Sequence, residues 1–160
     1  MYKKYFYLLL VFIISISSYS NTLYQFEKGV PSNFITGKNS KIEITKEKFK
    51  DGTSSLKWDF KKNSTLTIKG DVGYKVFQKG KQEKARSSFV MWIYNKKPID
   101  DKMQVQFKKK GEIKSYFSIN MNFTGWRTMW IQYDRDMSGK AEENMDEITL
   151  YCGNRNDCAA

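Results

Sequence analysis

The sequence predicts an all-β protein, an antiparallel β-sandwich, on three observations. The chain contains about nine short strand-like segments, most of which alternate apolar with polar residues, the pattern of half-buried antiparallel strands. No segment has convincing helical periodicity. The run from Phe89 to Tyr94 is rich in rings and β-branched residues, and the sequence Asn95-Lys-Lys-Pro98 ends it. Because this run is too short for an ordinary helix, we predict a strand buried on both faces at the centre of a sheet.

In the first half of the chain, alternating runs are separated by turn signals. Leu56, Trp58 and Phe60 share one face of a run that follows the turn signal Asp51-Gly52. The predicted strands of this half are Tyr24–Gly29, which runs into a turn, Lys41–Thr45, Ser55–Phe60 and Ser64–Lys69. The predicted loops are residues 31–40 and the charged connection 70–88.

Beyond Tyr94 the alternation continues to the end of the predicted domain. Phe117, Ile119, Met121 and Phe123 fall on one side of a run whose other side is polar. The predicted strands are Met103–Phe107, Tyr116–Phe123, Trp126–Tyr133 and Asp146–Tyr151, with a hairpin tip at Lys108–Gly111 and a polar loop over 134–144. With 160 residues and 40% hydrophobic content, the chain is expected to bury a single core.

Residues 1–20 are predicted to be a secretory signal peptide. Lys3 and Lys4 precede an apolar run from Tyr5 to Ile14, and small serines follow up to Ser20. An uncleaved membrane anchor is the alternative, but the run is shorter than the roughly 20 residues that cross a bilayer. We therefore expect an exported protein, periplasmic or secreted, with a β-sandwich domain over residues 21–151 and an irregular tail over residues 152–160.

The chain is strongly basic, with a formal net charge of +11. In an exported protein this balance indicates an acidic polysaccharide or an anionic surface as partner, rather than nucleic acid. The alternative is that the lysines only solvate turns and block edge strands from pairing. Both explanations remain open at this point.

The cysteine and histidine content limits which catalytic and metal-binding arrangements the chain can form. The chain contains no His, which excludes the Ser-His-Asp and Cys-His nucleophile arrangements. Cys152 and Cys158 alone cannot form an ordinary structural zinc site. In an exported protein they could be joined as a disulfide, or they could belong to a tail in which they have no role.

Three stretches carry a resemblance to a known family. They are Gly52–Trp58 (GTSSLKW), Trp92–Asp100 (WIYNKKPID) and Asn122–Thr128 (NFTGWRT). In order and spacing they are similar to the N-terminal domain of chondroitin sulfate ABC lyases, over about residues 24–151. The resemblance implies a jelly-roll sandwich, similar to galactose-binding and carbohydrate-binding modules, that precedes a helical toroid domain.

The resemblance also implies what this chain lacks. The family's catalytic residues belong to the toroid domain, so none is carried over, and we expect the chain by itself to be non-catalytic. The missing catalytic domain of a parent lyase becomes an expected partner. The family's sandwich continues to a further strand, so we expect the chain to be a fragment that ends early.

The same resemblance implies a structural calcium ion. Glu27, Asp51 and, less well placed, Asp146 are the candidate ligands, because calcium prefers several carboxylate and carbonyl oxygens. The alternative is that Asp51 only forms a turn and Glu27 is a solvated charge.

For carbohydrate binding, the candidates are Trp126, Arg127, Lys108, Lys109 and Lys110. A partly exposed Trp126 could stack on a sugar ring, while the cations would pair with sulfate or carboxylate groups. We expect Trp58 and Trp92 to lie in the core. The alternative for Trp126 and Arg127 is that they serve packing or the contact with a neighbouring domain.

Two functions follow from these observations. The first is a substrate-positioning module of an exported glycosaminoglycan lyase, with chondroitin sulfate or a related chain as ligand. The second is an independent structural or protein-binding sandwich domain. Salt-sensitive retention on a sulfated glycan would favour the first, and saturable protein binding the second.

Overall fold

The computed structural model describes residue 24, residues 26–79 and residues 83–153. These residues form twelve β-strands and no helix, so this part of the chain has no helix able to cross a membrane. The strands are β1 (Phe34–Thr36), β2 (Ser40–Thr45), β3 (Ser55–Phe60), β4 (Ser64–Lys69), β5 (Val76–Lys79), β6 (Glu83–Arg86), β7 (Ser88–Asn95), β8 (Lys102–Lys109), β9 (Glu112–Asn120), β10 (Gly125–Gln132), β11 (Ser138–Gly139) and β12 (Glu147–Gly153).

Six strands form the larger sheet, in the order β1-β4-β12-β8-β9-β11, and all its pairings are antiparallel. The last strand, β12, lies between β4 and β8, so Leu150 is opposite both Leu66 and Val105. All three side chains are buried. The apolar face of this sheet is therefore formed by residues that are far apart in the chain.

Smaller sheets form the second layer. β7 pairs with β10, and β2 pairs with β3. The ring of Phe89 on β7 lies 5.2 Å from that of Phe107 and 5.9 Å from that of Phe117, measured between centroids. Leu56 on β3 also packs against the core. The two layers confirm the predicted all-β antiparallel sandwich, while the narrower jelly-roll assignment stays a prediction.

The prediction that Phe89–Tyr94 is buried on both faces at the centre of a sheet was wrong. In the described structure this run lies in a two-stranded sheet, and Val90 and Trp92 are 49% and 47% exposed. Only the opposite face, with Met91, packs on the core. An unbroken apolar run does not reveal that one of its faces is left open, because burial depends on the layer that covers it.

Alternation correctly predicted the core face of β9 and the residues after it. Phe117, Ile119, Met121 and Phe123 are each at most 8% exposed, and Phe107 on the neighbouring strand is fully buried. All five belong to one apolar cluster. Burying a side chain of this size contributes about 1.5–3 kcal/mol, so this cluster is the main source of stability for the sandwich.

Four short strands lie in segments predicted as loops. β1 falls within residues 31–40, β11 within residues 134–144, and both β5 and β6 within residues 70–88. β1 is held by β4 and β11 by β9. Such strands exist because of partners distant in sequence, and local composition does not show those partners.

The segment Tyr24–Gly29 was predicted as a short strand that runs into a turn; its described residues, 24 and 26–29, form no strand, whereas the turn is confirmed. Phe26 has a φ of 60°, and the Gly29 N–H donates to the Phe26 carbonyl at 3.3 Å, which is a turn. Tyr24 and Phe26 contribute to the core as rings instead, because both pack against Phe34 with centroid distances of 4.9 and 5.7 Å.

The hairpin tip predicted at Lys108–Gly111 is confirmed between β8 and β9. Lys110 and Gly111 have φ values of 53° and 83°, as a two-residue turn with positive φ at both central positions requires. Lys109 and Glu112 are the last paired residues before it.

At the C-terminal end, β12 continues two residues beyond the strand predicted to end at Tyr151. Cys152 is 4% exposed and belongs to the core cluster. The disulfide considered for Cys152 involves Cys158, which lies outside the described residues, as do residues 1–20, the predicted signal peptide.

Candidate functional site

The outer face of the β7–β10 ribbon carries a row of rings. In the antiparallel register, Val90 is opposite Trp130, and Tyr94 is opposite Trp126. Alternate residues of a strand point to one side, so these residues face away from Met91 and the core. We call this face the aromatic strip, which consists of Val90, Trp92, Tyr94, Trp126, Thr128 and Trp130.

The strip is open to solvent over much of its length. Trp130 is 71% exposed, the largest fraction among the exposed large apolar side chains of the described residues. Tyr94 and Trp126 are half-buried and meet edge to face at 5.3 Å. Large contiguous patches of exposed apolar surface are uncommon on soluble proteins and often mark a binding site.

Two lysines lie over the rings of the strip. Lys50 Nζ is 4.6 Å from the centroid of the Trp92 ring, and Lys48 Nζ is 5.6 Å from that of Tyr94. Both are within the distance at which the negative face of a ring attracts a cation. Among the residues that the structure describes, neither ammonium has a carboxylate within ion-pair distance.

Glu27 holds the loop between β2 and β3 that carries these lysines. Its Oε1 accepts hydrogen bonds from the backbone N–H groups of Thr53 and Ser54, at 2.6 and 3.1 Å. The Thr53 hydroxyl and then the Thr53 N–H are the main reasons that the pKa of Glu27 is lowered. Gly52 has a φ of 69°, a conformation that favours glycine, and a Cβ there would lie 2.3 Å from Glu27 Oε1, so the carboxylate would have to shift.

The strand positions of the strip carry no charged side chain. The strand positions of the strip itself are apolar, aromatic or hydroxyl-bearing, and the ribbon ends in the pair Ser88 and Gln132. The ammonium groups of Lys48 and Lys50 above the rings are therefore the charges that a ligand on the strip would meet first. A face of this kind complements a ligand with flat apolar surfaces and negative groups.

One of the predicted carbohydrate-binding residues, Trp126, is a ring of the strip. The next residue of β10, Arg127, points to the opposite side of the strand. Arg127 is exposed, and its guanidinium carbon lies 4.4 Å from the centroid of the Phe123 ring. The structure therefore places Trp126 on the same face as Trp92 and against Tyr94, over which Lys48 lies. None of these residues was predicted as a partner of Trp126.

The predicted lysines at the hairpin tip lie elsewhere. Lys108 Nζ pairs with Glu147 at 3.1 Å and Lys109 Nζ with Glu142 at 3.2 Å. Lys110 is exposed. Phe107, just before the tip, contacts Phe89, at the end of β7 remote from Trp126, so the tip and Trp126 are not brought together.

The three candidate metal ligands make separate contacts. Glu27 is bound to the loop as described. Asp51 Oδ1 accepts from the Gly52 N–H at 3.0 Å, whereas Asp146 Oδ1 accepts from the Lys110 N–H at 3.0 Å. Within the described ranges, no group of three or more acidic, His or Cys side chains is placed to hold a metal ion.

Sequence reasoning missed Trp92, Trp130 and the two lysines. The expectation that Trp92 lies in the core was wrong, while Trp58 does pack against the core. The even spacing of Trp126 and Trp130 places both side chains on one face of a strand, and this pattern could have identified Trp130 as a second candidate ring. Lys50 lies in the loop between β2 and β3, and Trp92 lies on β7. No pattern among neighbouring residues of the sequence predicts their contact.

The fold and the strip together define a β-sandwich module with an exposed aromatic face. The chain as a whole contains no His. The comparison with known families makes the assignment specific: a family model described as "Lyase, N terminal" matches residues 20–158, and the chain belongs to this family.

Named relatives agree with the family. The chain is 35% identical over 133 residues, 83% of its length, to a chondroitin sulfate ABC exolyase of Proteus vulgaris. It is 34% identical over 128 residues, 80% of its length, to a chondroitin sulfate ABC exolyase of Bacteroides thetaiotaomicron. It is 28% identical over 140 residues, 82% of its length, to a chondroitin sulfate ABC endolyase of Proteus vulgaris. The matched region covers 13% of each relative.

Proposed function

We propose that this chain is a substrate-positioning module of a chondroitin sulfate lyase and binds an acidic polysaccharide on the aromatic strip. The observation that carries the proposal is the open row of rings with Lys48 and Lys50 above it. The names of the relatives support chondroitin sulfate or a related glycosaminoglycan as the ligand. In this role the module binds and orients, and the chemistry belongs to other parts of a longer protein.

The two parts of the strip supply different contributions. Trp92 and Trp130 offer flat apolar surface at little cost in conformational entropy, since each side chain has two rotatable bonds. The lysines add long-range attraction for sulfate and carboxylate groups, which falls with added salt. Binding should therefore be weakened by salt and lost when the rings are removed.

Trp130→Ala is expected to weaken binding to chondroitin sulfate oligosaccharides about tenfold or more. Removing one stacked ring from a binding face costs on the order of 1–3 kcal/mol. Because Trp130 is 71% exposed, the melting temperature should hardly change. Isothermal titration calorimetry on the full chain would measure the dissociation constant.

Ile35→Ala is the matched control for this measurement. Ile35 is 49% exposed but lies on β1 of the larger sheet, outside the strip. It should leave the affinity unchanged. Equal affinities of wild type, Trp130→Ala and Ile35→Ala would rule out the aromatic strip as the binding face.

A protein-binding sandwich domain is the second candidate. It is favoured by one specific observation, the exposed apolar side chains of Val90, Trp92 and Trp130 on a single face, which suit a protein interface as well. Affinity for a sulfated glycan no higher than that of the Trp130→Ala variant would leave this candidate as the better explanation.

We also propose a structural calcium ion at Glu27. The oxygens of the Glu27 carboxylate and of the Thr53 and Ser54 hydroxyls lie together there, and calcium prefers oxygen ligands. Asp51, in the same loop, is the nearest further carboxylate in sequence, whereas Asp146 is occupied at the β8–β9 tip.

Adding calcium is expected to raise the melting temperature of the wild-type chain above its value in a chelator. Glu27→Gln should abolish this rise, since a neutral amide is a much weaker ligand, and Asp146→Asn should preserve it. An identical melting temperature with calcium and with chelator would leave Glu27 as an acceptor that holds the loop, without a cation.

Export belongs to the same proposal. It is supported by the leader-like pattern of residues 1–20. Amino-terminal sequencing of the exported chain should begin at Asn21, and a chain retained with Met1 would contradict export by this leader.

A further inference from the structure

We infer that Lys50 is the specificity-determining residue of the aromatic strip: it disfavours neutral sugars and favours anionic ones. The inference rests on the proposed function, because it concerns the same binding face. It goes beyond general attraction by positive charge, since it assigns opposite effects on two classes of ligand to one side chain.

The position of the ammonium explains the effect on neutral ligands. Lys50 Nζ lies 4.6 Å from the centroid of the Trp92 ring, over the exposed face on which a sugar would stack. A ligand that uses Trp92 must therefore displace the ammonium and end a cation–π contact. Loss of this contact at an exposed site lowers the affinity for the ligand about two- to fivefold, and a neutral sugar has no charged group that compensates for it.

An anionic ligand compensates for the lost contact between Lys50 and Trp92. The lysine side chain is a flexible four-carbon stem with three donors, so a displaced ammonium can reach a sulfate or carboxylate beside the stacked ring. No carboxylate within the described residues holds Lys50 in an ion pair. The ion pair with the ligand is therefore gained without breaking one within the protein.

The backbone that carries Lys50 is fixed from both sides. The Ser55 hydroxyl donates to the Lys48 carbonyl at 2.5 Å, and Glu27 binds Thr53 and Ser54. These contacts hold the loop on both sides of Lys50, so the selection is assigned to displacement of the lysine side chain.

Lys48 is a weaker candidate for the same role. It lies 5.6 Å from the Tyr94 centroid, farther than Lys50 is from Trp92. Tyr94 is half-buried against Trp126, so its ring offers less surface to a sugar. We therefore assign Lys48 an auxiliary contribution to charge and assign the selection to Lys50.

The test compares Lys50→Gln with wild type on two probes: a chondroitin sulfate hexasaccharide and the same hexasaccharide after desulfation and carboxyl reduction. Affinity for the sulfated probe is expected to fall about three- to tenfold, through loss of the ion pair. Affinity for the neutral probe is expected to rise about two- to fivefold, because no ammonium must be displaced. Calorimetry or tryptophan fluorescence of the full chain would measure both.

Lys61→Gln is the charge-matched control. Lys61 is exposed and follows β3 in the turn before β4, so its removal changes the net charge equally but uncovers no ring of the strip. It should weaken sulfated binding slightly and leave neutral binding unchanged. If Lys50→Gln behaves like Lys61→Gln with both probes, Lys50 acts only through net charge and the inference is overturned.

The Trp130→Ala variant separates this failure from that of the proposed function. Weakened binding by Trp130→Ala, together with equal behaviour of the two lysine variants, would overturn the selection by Lys50 and leave the strip as the binding face. If Trp130→Ala binds both probes with the affinity of the wild type, the proposed function is overturned, and the inference about Lys50 with it.

Discussion

Phe107→Ala is expected to lower the free energy of unfolding by about 3–5 kcal/mol. Phe107 is fully buried, and its ring lies 5.2 Å from Phe89, 6.2 Å from Phe117 and 5.1 Å from Tyr133, measured between centroids. These neighbours belong to both layers, so truncation leaves a cavity between the sheets. Rings at fixed backbone positions can fill such a cavity only in part.

Chemical denaturation followed by tryptophan fluorescence would measure this loss. Ile113→Ala, at a 46% exposed position on the adjacent strand β9, is the control and should change stability by less than about 0.5 kcal/mol. Equal midpoints for the two variants would mean that Phe107 does not join the layers.

Glu147→Gln is expected to cost about 2 kcal/mol at neutral pH. Glu147 is 8% exposed, and its carboxylate accepts hydrogen bonds from Lys69, Lys108 and the Thr149 hydroxyl. A neutral amide leaves the ammonium of Lys108, which is 18% exposed, without its anion. The loss of a buried charge partner costs more than the loss of a surface ion pair.

The same residue predicts how stability depends on pH. Burial by itself raises the pKa of Glu147, but hydrogen bonds from Lys69, Thr149 and Lys108 outweigh it and lower the pKa from 4.5 to about 2. Because the folded state has the lower pKa, this stabilisation is present above pH 4.5 and is lost as the pH falls toward about 2. Glu147→Gln should remove this part of the acid sensitivity.

Glu43→Gln is the control for both measurements. The pKa of Glu43 is also lowered to about 2, by hydrogen bonds from Lys41 and Lys57, but its side chain is 38% exposed. Solvent screens this pair, so the variant should retain the denaturation midpoint and the acid profile of wild type. A Glu147→Gln profile that overlays those of Glu43→Gln and wild type would contradict a stabilising role for the buried carboxylate.

Part of the candidate site was within reach of sequence reasoning. Trp126 was predicted and lies on the strip, because the alternation of β10 is a local pattern that pairing does not alter. The tip lysines were chosen for charge alone, and the structure pairs Lys108 and Lys109 with acidic residues. Charge in the sequence does not show whether a cation already has a partner, since that partner arrives from another strand.

The sequence by itself determined the strand class, the core face of β9, and the turn at Lys110 and Gly111. Each of these depends on side-chain alternation or on a backbone angle, which are properties of neighbouring residues. Only the tertiary structure decided that β12 lies at the centre of the larger sheet, that the Trp92 face of β7 is open, and that Lys50 covers Trp92. The reason is that sheet order and layer packing join distant segments, and the burial of a face depends on which segment is placed against it.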